Sequence, residues 1–240
     1  KDFIAYKEQI YHKNKKSLLW FGGLNSDMSG TKAQYLSSFS KKNRINFCRF
    51  DYFGHGRSSK EFNNCVISDW LNNGIKIMDQ VIDNEVILIG SSMGGWISTL
   101  VSLKRRTKVK GLILIAPALD MTENLMWKKF SPEEKNLIKT IGYIERYAED
   151  YDSSYRITKK LIDDGRKHLI LKDIIDLNVP IRIFHGIKDE AVPWELSLDL
   201  MSSFSSDDIN VSFNKNGNHS LSSDSDLKSL GDAILDVYNI

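Results

Sequence analysis

Val86-Ile87-Leu88-Ile89 is apolar at every position and stops at Gly90. A strand that alternates apolar with polar residues buries one face, whereas a strand with no polar position must be covered on both. The pattern recurs along the chain. Leu18-Leu19-Trp20-Phe21 ends at Gly22-Gly23, Ile45 to Phe50 ends at Asp51, and Val109 to Ala116 precedes Pro117. Ile181-Arg182-Ile183-Phe184 and Val211-Ser212-Phe213 follow later. Between these runs apolar residues recur at helical spacing: Ile67, Trp70, Leu71, Ile75, Met78, Val81 and Ile82, with Ser68 or Asp69 as the expected cap, then Trp96, Ile97, Leu100 and Val101. Helices are also expected over 31–42, 194–204 and 224–238. Buried strands alternating with amphipathic helices specify an α/β fold, a mostly parallel sheet with helices on both faces. The 240 residues are read as one domain.

Two stretches fall outside that alternation. The first 16 residues read as a polar hairpin, Phe3–Tyr6 against Gln9–Tyr11. Residues 118–176 show no strand pattern and are read as a helical cap insertion between two sheet strands. Within it, Ser131-Pro132-Glu133-Glu134 has the order of a helix start, a cap hydroxyl followed by Pro and then Glu. A second helix is expected over 154–164, ending near Gly165.

Lys and Arg total 33 against 31 Asp and Glu, a net charge of +2, so no strong field draws the chain to nucleic acid or an anionic membrane. Two cysteines, Cys48 and Cys65, exclude a disulfide scaffold and a cysteine zinc site. Cys48 sits in an apolar run and reads as a reduced core thiol. The first residues lack the apolar core of a signal peptide. The longest apolar stretch, Leu112 to Leu119, is far short of the roughly 20 residues that span a bilayer. A water-soluble, cytoplasmic chain with no transmembrane segment and no nucleic-acid partner is expected.

The chemistry concentrates in Gly90-Ser91-Ser92-Met93-Gly94. It fits G-x-S-x-G between an all-apolar strand and an amphipathic helix, the context in which that motif is specific. The chain must reverse sharply, so small residues are needed two before and two after the serine. Ser91 does not qualify, because Ile89 and Met93 would then hold the glycine positions. Ser92 is the candidate nucleophile, at a helix N-terminus whose free N–H groups favour negative charge.

A serine nucleophile needs a base, and the base needs an orienting acid. Asp189 lies on the loop after the strand Ile181–Phe184, and His219 follows the last strand beside Gly217. Loops at the C-terminal ends of parallel strands converge on one sheet edge, so Ser92, Asp189 and His219 can meet. Glu190 is the rival acid. His185 reads as a locally bonded strand end, His55 as a loop residue, and His12 and His168 as surface residues. No His or carboxylate pair has metal-ligand spacing, so neither a metal nor another cofactor is expected. The oxyanion hole needs two N–H donors. Met93 follows the nucleophile, and Leu24 lies on the turn after the first long strand.

Taken together, Gly22-Gly23-Leu24, Asp51-Tyr52-Phe53-Gly54-His55-Gly56-Arg57-Ser58, Gly90 to Gly94, His185 to Asp189 with Val192-Pro193, and His219 make the chain resemble the α/β-hydrolase superfamily over its whole length. Within it, Arg49-Phe50-Asp51-Tyr52, Gly30-Thr31-Lys32-Ala33, Gly94-Gly95-Trp96 and Pro180 to Gly186 are similar to a branch of acyl-protein thioesterases and acyl-glucuronide esterases. The resemblance implies nucleophile Ser92, acid Asp189 and base His219, acting on a small-molecule or acylated-protein substrate. One departure is visible: Gly22-Gly23 stands where the superfamily usually has His-Gly. The expected activity is hydrolysis of acyl esters or thioesters through an acyl-enzyme. Leu125, Met126, Trp127 and Phe130 in the insertion form a dense apolar cluster, an expected acyl-chain site or simply packing against the sheet. The alternatives are a peptidase of the same fold, with Glu133, Glu134 and Glu145 as its ammonium pocket, and a silent ligand-binding member.

Overall fold

The computed structural model describes residues 1–148 and 153–240. Nine strands and seven α-helices are described. A seven-stranded sheet holds β1 (Tyr6–Gln9), β2 (Ser17–Phe21), β3 (Asn46–Phe50), β4 (Val86–Ser91), β5 (Val109–Ile115), β8 (Ile181–Gly186) and β9 (Ile209–Asn214). Its spatial order is β1-β3-β2-β4-β5-β8-β9. Every pair is parallel except β1 with β3. Strand β4, which leads into Ser92, is therefore central.

The apolar runs explain the layering. Successive side chains of a strand point to opposite faces. On one face Leu19 and Phe21, Val86 and Leu88, and Leu112 and Leu114 pack with Trp70 and Met78 of helix α2 (Ile67–Gln80) and Trp96 and Ile97 of α3 (Met93–Lys104). On the other face Leu18 and Trp20, Ile87 and Ile89, and Ile113 and Ile115 pack with Ala33 and Leu36 of α1 (Thr31–Asn43) and Leu230, Ile234 and Val237 of α7 (Asp224–Tyr238). Both residue sets of each strand are buried, as the absence of polar positions requires. Each such side chain contributes roughly 1.5–3 kcal/mol on burial. The helix after β8, α6, spans Glu195–Ser203.

Three local expectations are corrected. The N-terminal segment forms no hairpin of its own, because Tyr6–Gln9 pairs with Phe50–Phe47 instead. Helix α2 starts at Ile67 and its cap is Val66, two residues before the first expected cap Ser68; Val66 N–H is bonded by the Asp69 carboxylate at 3.1 Å, while Ser68 N–H is capped by Asp164 at 2.7 Å from the insertion. The insertion itself is not all helical. After β5 come a π turn (Thr122–Met126), a short 3₁₀ turn (Trp127–Lys129) and α4 (Pro132–Thr140), and then β6 (Tyr143–Ala148) and β7 (Ser153–Thr158) pair antiparallel. Helix α5 is short, Lys159–Gly165, so the first half of the expected 154–164 helix is strand. The hairpin stands because Ile144 faces Ile157 across it, both buried in the sheet's core cluster. The Ser131 start is as read: its hydroxyl accepts Glu134 N–H and Glu134 accepts Ser131 N–H.

Candidate active site

Strand β4 must turn into α3 within one residue, and Ser92 takes the strain. It sits at φ +54°, ψ −120°, a conformation that L side chains rarely adopt. The glycines two away on each side are needed for space. A Cβ on Gly94 would lie 2.1 Å from Phe21 O, and one on Gly90 would touch Gly94 O. Ser92 is half-buried whereas Ser91 is buried. The reversal thus presents only one of the two adjacent hydroxyls.

Ser92, Asp189 and His219 are brought together from three loops. Ser92 Oγ–H donates to His219 Nε2 at 3.0 Å, and His219 Nδ1–H donates to Asp189 Oδ2 at 2.7 Å. The Asp189 side chain is fully buried and His219 is about a third exposed. The other carboxylate oxygen, Oδ1, accepts the N–H groups of Ala191 and Val192, each at 2.9 Å. His185 adds a fourth donor, its Nε2–H shared between Asp189 Oδ2 at 3.1 Å and Val192 O at 3.0 Å. Ser197 Oγ bonds the other ring nitrogen, His185 Nδ1, at 2.6 Å, and donates to it when the ring proton is on Nε2. Burial alone would raise the Asp189 pKa. The hydrogen bonds from His185, His219 and Val192 N–H outweigh it and hold the carboxyl well below the usual carboxylate range. The arrangement can therefore move a proton from a serine hydroxyl to an imidazole backed by a fixed negative charge. Glu190, the rival acid, is exposed and absent from this network.

The turn after β2 lies over the serine. A Cβ on Gly23 would be 3.5 Å from both Ser91 O and Ser92 Cβ. Gly23 O accepts Ser26 N–H, closing a β-turn with Asn25 at φ +58°. Among the described residues the N–H groups of Leu24 and Met93 donate to no protein acceptor, so one free donor follows Ser92 in the chain and another lies on the turn that Gly23 brings against it.

Of the four insertion residues, Phe130 is buried at 7% exposure and belongs to the core cluster, with Trp127 stacked edge-on at 6.4 Å. Leu125, Met126 and Trp127 are half-buried against that cluster, and Arg166 lies over the Trp127 ring at 4.8 Å. The three glutamates considered for an ammonium pocket are otherwise placed. Glu134 caps α4 and pairs with Arg146, Glu145 pairs with Arg156, and Glu133 is exposed.

Two histidines read as bland have specific partners. His168 is half-buried, not on the open surface, and its Nε2 bonds Ser68 Oγ at 2.8 Å, where the insertion meets α2. His55 is buried and bonds Asn25 N–H through Nε2. The sequence signal was the glycine on each side of it, both at positive φ.

The family model described as serine aminopeptidase, S33, matches residues 12–226. The chain is 30% identical over 240 residues to the bovine protein named palmitoyl-protein thioesterase ABHD10, mitochondrial, covering 98% of this chain and 76% of that one. The mouse protein of the same name is 32% identical over 227 residues, 93% of this chain and 75% of that one. Among solved structures, one from Agrobacterium vitis S4 superposes with TM-score 0.95 at 31% identity, covering 99% of this chain and 94% of that chain. Mouse α/β hydrolase domain-containing protein 10 superposes with TM-score 0.89 at 30% identity, with the same coverage. With its central β4, the turn at Ser92 and a family match across most of its length, the chain belongs to the serine aminopeptidase S33 family of α/β hydrolases.

Proposed function

We propose that the chain hydrolyses acyl esters or thioesters, with Ser92 as nucleophile, His219 as general base and Asp189 as the acid that orients it. The observation that carries this is the continuous hydrogen-bonded path from Ser92 Oγ through His219 to the buried Asp189 carboxylate. His219 takes the serine proton as Oγ attacks the acyl carbon. The Met93 and Leu24 N–H groups receive the oxyanion, and each such donor is worth roughly 2.7–4 kcal/mol in the transition state. His219 then returns the proton to the leaving group, and a water activated by the same imidazole releases the acyl chain. A thiol leaving group, with an ordinary pKa near ~8.5, needs less help from that acid than an alkoxide.

The substrate reading rests on the thioesterase name of the relatives at about 30% identity and on the apolar residues Leu125, Met126 and Trp127, which pack against the core cluster that includes Met93. We assign Leu125, Met126 and Trp127 to the wall of an acyl-chain groove, with Phe130 as their buried backing. The donor is a small acyl ester or an acylated protein. We take 1–240 as one hydrolase domain with 118–176 as its insertion, since one core cluster runs from the sheet into Phe130, Ile138, Ile144 and Ile157. No helix among the described residues is long and apolar enough to cross a membrane. We retain the cytoplasm as the compartment because both cysteines are free and buried. The relatives' names place those proteins in mitochondria.

The family description favours a second reading, a peptidase. Against it, two of the three glutamates considered for a substrate ammonium, Glu134 and Glu145, are paired with arginines. Turnover of p-nitrophenyl esters and acyl-thioesters from C2 to C16, set beside aminoacyl p-nitroanilides, tests the proposal. Ester and thioester hydrolysis is expected. Hydrolysis of the anilides alone, or of nothing, would overturn it.

A further inference from the structure

Asp51-Tyr52-Phe53-Gly54-His55-Gly56-Arg57-Ser58 supplies no group to the proton path, yet it bonds the oxyanion turn at Asn25 and the chain just after it at Met28. Asp51 Oδ1 accepts Met28 N–H at 2.7 Å, and His55 Nε2 accepts Asn25 N–H at 3.1 Å. The second contact fixes the state of the imidazole. A ring nitrogen that accepts carries no proton, so the proton is on Nδ1, which donates to Phe53 O at 3.1 Å. Phe53 is itself clamped: its N–H donates to Asn73 Oδ1 at 2.7 Å, and Trp70 Nε1–H donates to its carbonyl at 3.0 Å. The rings of Tyr52, Phe62 and Trp70 surround His55 at 5.3–5.7 Å between centroids, all edge-on, and exclude water from it. Helix α2 thus holds Phe53, Phe53 holds His55, and His55 holds the peptide between Leu24 and Asn25.

The tether bears on the donor one residue earlier. Asn25 sits at φ +58°, a conformation an L residue adopts at a cost, directly after Leu24. The bond from Asn25 N–H to His55 offsets that cost and fixes where the turn carrying Leu24 N–H sits.

We propose that His55 is a positioning residue for the oxyanion hole: its neutral imidazole, fixed between Phe53 O and Asn25 N–H, holds the turn that presents Leu24 N–H over Ser92. This rests on the reading of Leu24 N–H as an oxyanion donor. Misplacing one donor, unlike losing substrate contacts, lowers kcat and leaves KM nearly unchanged.

His55→Phe fills the aromatic box without an acceptor, and His55→Gln keeps an acceptor within reach of Asn25 N–H. Kinetics on a p-nitrophenyl ester should give the Phe variant a kcat lowered about 10- to 100-fold. Its KM should stay within about twofold, the pH profile of kcat/KM should keep its shape, and the Gln variant should recover most of kcat. A Phe variant with wild-type kcat, or a Gln variant as impaired as the Phe variant, would overturn the proposal. Should the Phe variant fail to fold, imidazole proton–nitrogen correlation spectra of the wild type decide it. A proton on His55 Nδ1 is expected, and a proton on Nε2 overturns it. Failure of the hydrolase reading is distinguishable, because wild-type Ser92 would then not react with a fluorophosphonate at all.

Discussion

Asp189→Asn is the substitution whose outcome the hydrogen bonds dictate most closely. Oδ1 accepts two backbone N–H groups, from Ala191 and Val192, and neither can move without rebuilding the loop. An asparagine must therefore place its carbonyl oxygen there and its NH₂ at the position of Oδ2. That position now faces two donors, His219 Nδ1–H and His185 Nε2–H. The conflict is relieved when His219 shifts its proton to Nε2 and accepts from the amide through Nδ1. Nε2 then carries a hydrogen where it must receive one from Ser92 Oγ, 3.0 Å away. The base is lost with the geometry intact, and the negative charge that would stabilise the imidazolium is lost with it. A fall of about 10⁴-fold in kcat, about 5 kcal/mol, is expected. His185 makes the same tautomer exchange by donating to Ser197 Oγ, so the fold survives. The assay is kcat on p-nitrophenyl acetate, with near-ultraviolet circular dichroism to show native packing. A natively packed Asp189→Asn protein within tenfold of wild-type kcat would refute this reasoning.

Further outcomes follow from the same contacts. Gly94→Ala would push a Cβ to 2.1 Å from Phe21 O, so β2 and α3 must separate, and urea denaturation should show a loss of about 3 kcal/mol or more. Burial lowers the His55 pKa from 6.5 to about 4. Between those values the unfolded chain binds the proton and the native state does not, so stability present above pH 6.5 falls on acidification towards pH 4. Denaturant midpoints should show wild type losing about 3 kcal/mol more than His55→Phe across that window, a difference absent above pH 7. Each buried methylene is worth roughly 0.8 kcal/mol, so kcat/KM should rise from C2 towards C8 along the proposed groove. Trp127→Ala should flatten that slope while leaving C2 hydrolysis intact, and a wild type that prefers acetyl to octanoyl would remove the groove.

The sheet was legible because its central strands hold unbroken apolar runs, Leu18–Phe21, Val86–Ile89 and Leu112–Ile115, and the candidate site because a parallel sheet gathers its C-terminal loops. Ser92 could be told from Ser91 only by the glycine spacing, and the burial of Ser91 gives the reason. The insertion was misread where the signal was thin. In Tyr143–Ala148 the alternation rests on Ile144, and in Ser153–Thr158 on Ile157, one strongly buried residue in each strand. Tyr155, Ile157, Leu161 and Ile162 then mimic one helical stripe across a strand–helix junction. Thr158, whose hydroxyl accepts Leu161 N–H, is the cap that marks the true start. Pairing of β1 with β3 is long-range and leaves no local trace. The roles of Asn25 and His55 were hidden for the same reason, since their bond joins loops 30 residues apart.

The central claim is that Ser92 becomes covalently bound to the group it attacks. Mass spectrometry of the chain after reaction with a fluorophosphonate measures that adduct directly. One equivalent of label is expected on the peptide containing Ser92, retained in Ser91→Ala and lost in Ser92→Ala. Label on any other residue, or label that survives in Ser92→Ala, would contradict it.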